Sequence, residues 1–148
     1  MLDRLMKKIT CVRRIQFCCG HRVLNHESKC ANVHGHNYVM FFHARAPELD
    51  AIGRVVDFSV LKERLGSWVD KNWDHSFLVN EEDSVLMAAI PPVMKNKDAF
   101  ICPFNPTAEN MAEYVLKVVA PKVMEGTGVE VFKIVLWETE NCFATAEL

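Results

Sequence analysis

Residues 34–46 read His34-Gly35-His36-Asn37-Tyr38-Val39-Met40-Phe41-Phe42-His43-Ala44-Arg45-Ala46, and Pro47 follows. From His36 onward the run is rich in aromatic and aliphatic residues, and Pro47 ends it. That predicts a long strand over 36–46. Upstream, residues 9–20 alternate partly: Ile9, Cys11, Ile15, Phe17 and Cys19 share one parity, as on a half-buried strand. The two strands are expected to pair antiparallel, with the polar stretch 22–33 as the loop between them.

His34 and His36 stand two apart, and His21 precedes them. Side chains alternate along a strand, so i and i+2 point to the same face. Two imidazoles about 7 Å apart at Cα suit a single zinc ion. His21 supplies a third nitrogen from the neighbouring strand. Three protein nitrogens leave a fourth position open, the arrangement of catalytic rather than structural zinc.

Beyond these strands, Phe58, Leu61, Leu65, Trp68 and Val69 recur at intervals of three and four, which predicts an amphipathic helix over 58–71. Residues 72–106 read as irregular, with a short helix around 83–90. A further helix opens at Asn105 and Pro106, carries the stripe Met111, Val115, Val118 and Val119, and ends near Pro121. Strands follow over 129–138 and Phe143–Glu147. In the first of them Phe132, Ile134, Leu136 and Glu138 share a parity, so a carboxylate continues a row that faces the core. The order β-β-α-α-β-β predicts an α+β domain spanning 1–148, with an antiparallel four-stranded sheet and two helices on one face.

Composition narrows the function classes. The chain has 148 residues, 50% hydrophobic and 24% charged, with a net charge of −2. Such a balance argues against a nucleic-acid binder that works by electrostatics. No apolar run approaches the roughly 20 residues of a membrane span, and Met1–Lys8 lacks the apolar core of a signal peptide. A cytoplasmic location is expected. Of the six cysteines, Cys11, Cys18 and Cys19 read as small packing residues, with Cys18 on the opposite face from the other two. Cys30 differs. It lies in a polar loop beside Lys29, the setting of a reactive thiol. Asp74-His75 forms a carboxylate-imidazole pair suited to acid–base work near neutral pH.

These residues resemble the 6-pyruvoyl-tetrahydropterin synthase family, which includes the 6-carboxy-5,6,7,8-tetrahydropterin synthases of queuosine biosynthesis. The resemblance rests on six ordered segments: Phe17-Cys18-Cys19-Gly20-His21-Arg22; Cys30-x3-His34-Gly35-His36-Asn37-Tyr38; Val56-Asp57-Phe58-Ser59-x-Leu61-Lys62; Asp74-His75-x-x-Leu78; Asn105-Pro106-Thr107-Ala108-Glu109-Asn110; and Trp137-Glu138-Thr139. It implies a zinc ion on His21, His34 and His36. It implies Cys30 as the catalytic thiol, with Asp74 and His75 as its acid–base partners. Glu138 is implied to grip the pterin ring, with Thr107 and Glu109 lining the pocket. The substrate implied is 7,8-dihydroneopterin triphosphate, from which triphosphate is eliminated and the side chain cleaved. The fold implied is the tunnelling fold, in which trimers close their sheets into a barrel and stack as a homohexamer.

Two features depart from the family pattern. Glu27 precedes Cys30 in a combined Glu27-x-x-Cys30-x-x-x-His34-Gly35-His36 motif, which resembles a bifunctional branch that also forms 6-hydroxymethyl-7,8-dihydropterin. The stretch from about Glu81 to Phe104 is longer than in compact members, and its apolar run 85–90 predicts a docked helix. Two rivals are the 6-pyruvoyl product and a structural zinc protein with a closed His3Cys site. The latter leaves Asp74, His75 and Glu138 without a role.

Overall fold

The computed structural model describes residues 9–148; the charged run Met1–Lys8 lies outside the described residues. Six strands form one mixed sheet: β1 (Cys11–His21), β2 (His34–Arg45), β3 (Ser76–Asn80), β4 (Phe100–Cys102), β5 (Glu130–Thr139) and β6 (Cys142–Glu147), in the order β4-β3-β1-β2-β5-β6. Three helices accompany it: α1 over 58–72, α2 (Ser84–Ala89) and α3 over 108–123.

This corrects the expected four-stranded antiparallel sheet. The four expected strands are present and antiparallel, but β3 and β4 extend the β1 edge in parallel: Cys19 faces Ser76, and Leu78 faces Phe100. Both added strands lie in the stretch read as irregular. Their residues hide from an alternation search because a parallel strand covered on both faces reads as a short apolar run. Phe77-Leu78-Val79 is such a run, and Leu78 and Val79 are fully buried.

The β1–β2 register runs from Cys11↔Ala44 to His21↔His34. It puts Ile15, Phe17 and Cys19 on one face with Tyr38, Met40 and Phe42, all buried. Helices α1 and α3 cover this face through Leu61, Leu65, Val69, Met111, Val115 and Val119. Each buried aliphatic or aromatic side chain contributes roughly 1.5–3 kcal/mol. At the end of α1, Trp73 is fully buried among Phe17, Trp68, Phe100 and Tyr114, with ring centroids 5.1–6.5 Å away. This anchor fixes where the chain turns into β3.

Two further details differ from the sequence reading. The N-cap of α3 is Thr107, whose Oγ1 accepts from the Asn110 N–H at 3.2 Å, rather than Asn105. Pro121 sits inside the last turn of α3 instead of ending it. The preceding turn, Val115–Val119, is π-helical, and that wider turn accommodates the ring and the missing N–H. In β5, a bulge against His43 and Ala44 puts Val131 in the buried row and leaves Phe132 half-buried, where it packs under Arg45 with the guanidinium carbon 4.6 Å from the ring centroid.

The long stretch 81–104 does carry a docked helix. Asp83 caps α2 through Leu86 N–H and accepts two bonds of 2.6 Å from Arg22 at the end of β1. The Asp83 side chain is only 2% exposed, so this fork ties the insertion to the strand that carries His21. The Arg22 guanidinium holds the Asp83 carboxyl below its ordinary value of 3.8. The stability this supplies is therefore present above pH 3.8 and is lost as pH falls through the folded-state value. Asp83→Asn keeps the helix cap but removes the charge pair. It should cost about 3 kcal/mol at pH 7, the low end for a broken buried pair, because Arg22 still reaches water. Urea midpoints measured from pH 7 to 3 should show a flatter acid limb in the variant.

Candidate active site

The β1–β2 register delivers the first cluster. His21 pairs across the ladder with His34, and Cys19 with His36, so all three imidazoles lie on the helix-covered face at one end of the two strands. Their ring centroids are 4.6, 4.8 and 5.2 Å apart. One ring nitrogen from each lies within 4.8 Å of the others.

Hydrogen bonds determine which nitrogens face inward. His21 Nδ1 lies 2.7 Å from the Pro106 carbonyl, and His34 Nδ1 lies 2.6 Å from the Asn32 carbonyl. A carbonyl only accepts, so each Nδ1 carries the proton and donates it. Each Nε2 is left with a lone pair; these two nitrogens stand 3.2 Å apart, and the Tyr38 hydroxyl lies 3.4 Å from that of His21. Two facing lone pairs at that distance repel unless a cation or a shared proton lies between them. His36 Nε2 is buried without a hydrogen-bond partner, 3.5 Å from Glu138 Oε1. Burial is the main cause that pushes the His21 imidazole down to about 4, with the neighbouring imidazoles adding to it against the pull of the Pro106 carbonyl. Burial likewise lowers His36, partly offset by Glu138. His21 and His36 are thus favoured as the neutral imidazoles that a divalent metal such as zinc takes, and His34 faces them across the same cluster.

The segment 105–110 is the scaffold of this cluster. Pro106 supplies the carbonyl that orients His21. Asn105 grips the 22–33 loop through Leu24, with two bonds of 3.0 Å. Thr107 uses its hydroxyl on the helix cap, and Glu109 is exposed in the first turn of α3.

Glu138 owes its place to a bulge. Along the β5–β6 pairing Trp137 faces Phe143 and Thr139 faces Cys142, so Glu138 is the unpaired extra residue. Bulges of this kind re-aim a side chain beside a functional site.

The second cluster lies on the other side of β1. The turn Trp73–Ser76 joins α1 to β3, and His75 stands at φ 58 in the left-handed region. Asp74 Oδ2 lies 3.0 Å from His75 Nδ1. Asp74 Oδ1 accepts the Cys18 N–H at 3.0 Å, and His75 N–H donates to the Cys18 carbonyl at 2.7 Å. Lys97, from the insertion, donates to the Asp70 and Asp74 carbonyls. Burial raises the Asp74 carboxyl, but the Cys18 N–H, His75 and Lys97 outweigh it and leave it below its ordinary range.

The thiol that meets this dyad within the chain is Cys18, with Sγ 3.7 Å from His75 Nε2. Sequence reading treats Cys18 as a packing residue; its only signal is its even parity on a strand whose odd residues face the core. Cys30 is half-buried in a short turn, Lys29–Ala31, and its carbonyl accepts the Val23 N–H. Glu27 is exposed, 3.8 Å from His26. Among the described residues no hydrogen bond joins either one to Asp74 or His75. Cys19 and Cys102 are the inert buried thiols, both pushed up by burial, Cys102 to about 12.

The sheet thus carries a metal-ligating imidazole triad with a carboxylate beside it, and a carboxylate-imidazole pair for acid–base work, the groups of an enzyme site. The family model of 6-pyruvoyl tetrahydropterin synthase matches residues 10–148. The 6-carboxy-5,6,7,8-tetrahydropterin synthases of Rickettsia felis and Rickettsia bellii are 37% and 39% identical, each covering 91% of this chain and 97% of its own. A solved protein from Wolinella succinogenes superposes with a TM-score of 0.79 at 22% identity, over 94% of this chain and 97% of its own. The 6-pyruvoyltetrahydropterin synthase of Plasmodium vivax, solved as a glutamate-to-alanine catalytic residue mutant, gives 0.68 at 18% identity, over 95% of this chain and 99% of its own. The chain belongs to the 6-pyruvoyl tetrahydropterin synthase family.

The left-handed backbone at His75 makes a direct prediction. His75→Val should cost about 1–2 kcal/mol, because a β-branched residue clashes there, whereas His75→Asn should be nearly neutral. Urea unfolding of the two variants side by side reads the difference.

Proposed function

We propose that this chain is a zinc-dependent 6-carboxy-5,6,7,8-tetrahydropterin synthase that converts 7,8-dihydroneopterin triphosphate in queuosine biosynthesis. The observation that carries the reading is the pair of inward-facing, unprotonated Nε2 atoms of His21 and His34, 3.2 Å apart, beside the unpartnered His36 Nε2. The identity to named synthases over nearly the whole chain supports the product.

His21, His34 and His36 would hold the zinc ion, whose chemistry when bound is to polarise the side-chain hydroxyls of the substrate. Cys30 takes a proton from the substrate side chain. His75, oriented by Asp74, returns or relays a proton. Glu138 anchors the pterin ring, because a carboxylate accepts two parallel bonds from a 2-amino-4-oxo pyrimidine edge. Thr107 and Glu109 line the same pocket. Positioning of the ring turns proton transfer into an intramolecular step; triphosphate leaves, and for the 6-carboxy product the side chain is cleaved and acetaldehyde is released.

Glu27 supports a second activity on the same site, formation of 6-hydroxymethyl-7,8-dihydropterin. The supporting observation is the Plasmodium vivax relative, in which a glutamate is a catalytic residue. Exposure of Glu27 leaves its carboxylate free to reach a bound side chain.

The chain works as a single domain in a cytoplasmic homohexamer in this reading. Edge strand β6 carries Phe143 at 54% exposure, and the sheet face away from the helices leaves Val39, Phe41 and Trp137 only half-covered. A second copy that continues the sheet would cover both. No helix is long and apolar enough to cross a membrane among the described residues.

Cys30→Ala with its zinc retained should lose about 100-fold or more in turnover of dihydroneopterin triphosphate, with both products assayed by mass. Turnover near wild type would remove the thiol from the mechanism. Glu27→Ala should lower the hydroxymethyl product relative to the carboxy product; an unaltered ratio would leave that second activity without its residue.

A further inference from the structure

We propose that Cys18, Asp74 and His75 form a second metal site, on the opposite side of β1 from the imidazole triad, which takes a thiophilic divalent ion such as zinc. Filling it silences the enzyme. The three donors are a thiol, a carboxylate and an imidazole, and their ligand atoms all lie within 4.8 Å of one another. Cys18 Sγ lies 3.8 Å from His75 Nδ1 and 3.7 Å from Nε2, and Asp74 Oδ2 lies 3.0 Å from Nδ1. A tetrahedral ion with bonds of about 2.3 Å to sulfur and about 2.0–2.1 Å to nitrogen and oxygen spaces S and N about 3.5 Å apart, and N and O about 3.3 Å apart. Taken on Nδ1, which faces both partners, the separations of 3.8 and 3.0 Å lie within about 0.3 Å of that spacing.

The site is also held in place before any ligand arrives. Cys18 N–H binds Asp74 Oδ1, and the Cys18 carbonyl binds His75 N–H, so strand and turn are stitched at two points. This supplies the outer-shell contact that orients a ligand and leaves Oδ2 turned to His75 Nδ1, the pair an entering ion would bridge. The left-handed backbone at His75 turns its ring toward the strand. Three protein donors leave a fourth position open, and two of them, Cys18 and His75, border a shallow cleft of about 400 Å³ that Gly20, Gly35, Asn37 and Ser76 line together with Cys19 and His36. The His75 side chain is 78% exposed, so an ion enters from solvent and binds more weakly than at the buried triad.

The metal site stands on geometry alone; its effect on activity rests on the role of His75 proposed above. An ion on the imidazole takes the lone pair that proton transfer needs. Excess zinc should therefore inhibit, while zinc at one equivalent should not.

The test is a cobalt titration of the full-length protein stripped of metal. Two equivalents are expected, with a near-ultraviolet thiolate-to-cobalt charge-transfer band rising with the second. Cys18→Ser and His75→Asn should each lose the band and the second equivalent while the first remains. His34→Ala should weaken the first and leave the band. In activity assays the zinc concentration for half inhibition should rise at least about tenfold in Cys18→Ser, since loss of an outer-shell contact alone costs about that much. A single equivalent in the wild-type protein would overturn the site, as would a band that survives Cys18→Ser. A band that vanishes only in Cys30→Ser would also overturn it. Failure of the triad reading shows separately, as absence of the thiolate-free first equivalent.

Discussion

The antiparallel register between β1 and β2 is the constraint on which the rest depends. Because Cys19 faces His36 and His21 faces His34, a single alignment closes the apolar core and assembles the imidazole triad at its end. A slip of one residue would send Ile15, Phe17 and Cys19 to the outer face and break the triad at the same time. Core and site are thus specified by the same energy: the row that buries Tyr38, Met40 and Phe42 ends in His36 and His34.

Around that ladder the remaining elements act as orienting groups. Pro106, set by the cap of α3, fixes the His21 tautomer. The bulge in β5 brings Glu138 to the triad. Trp73 closes α1 among four aromatic rings, and the turn behind it presents Asp74 and His75 to the back of β1. Arg22 and Asp83 clamp the insertion to the same strand, and Lys97 from that insertion reaches the Asp74 turn. The insertion is therefore part of the site's frame. The contacts of His21 with Pro106, of His36 with Glu138, of Arg22 with Asp83 and of Asp74 with Lys97 each span tens of residues in sequence.

Much of the site was legible in the chain. The i, i+2 spacing of His34 and His36 on a strand follows from local periodicity, which depends only on backbone geometry, and the Asp74-His75 pair stands adjacent in the sequence. The four long strands and the two long helices follow from the same periodicities. What stayed hidden has physical causes. Strands β3 and β4 are too short and too apolar to alternate, and their parallel pairing is decided by β1, far away in sequence. The two β5 bulges arise only from pairing with partners, so Phe132 leaves the buried row for reasons outside its own strand.

Cys18 marks the boundary between the two kinds of information most clearly. By itself the sequence determined that Cys18 points away from the core, that three histidines can share one ion and that an Asp-His pair is available for proton work. Only the tertiary structure decided that Cys18, rather than Cys30, is the thiol beside His75 within the chain. Strand parity is set by dihedral angles residue by residue. The meeting of a strand with a turn 56 residues away is set by the burial of Trp73 and by the parallel pairing of β3 on β1, which no local pattern contains.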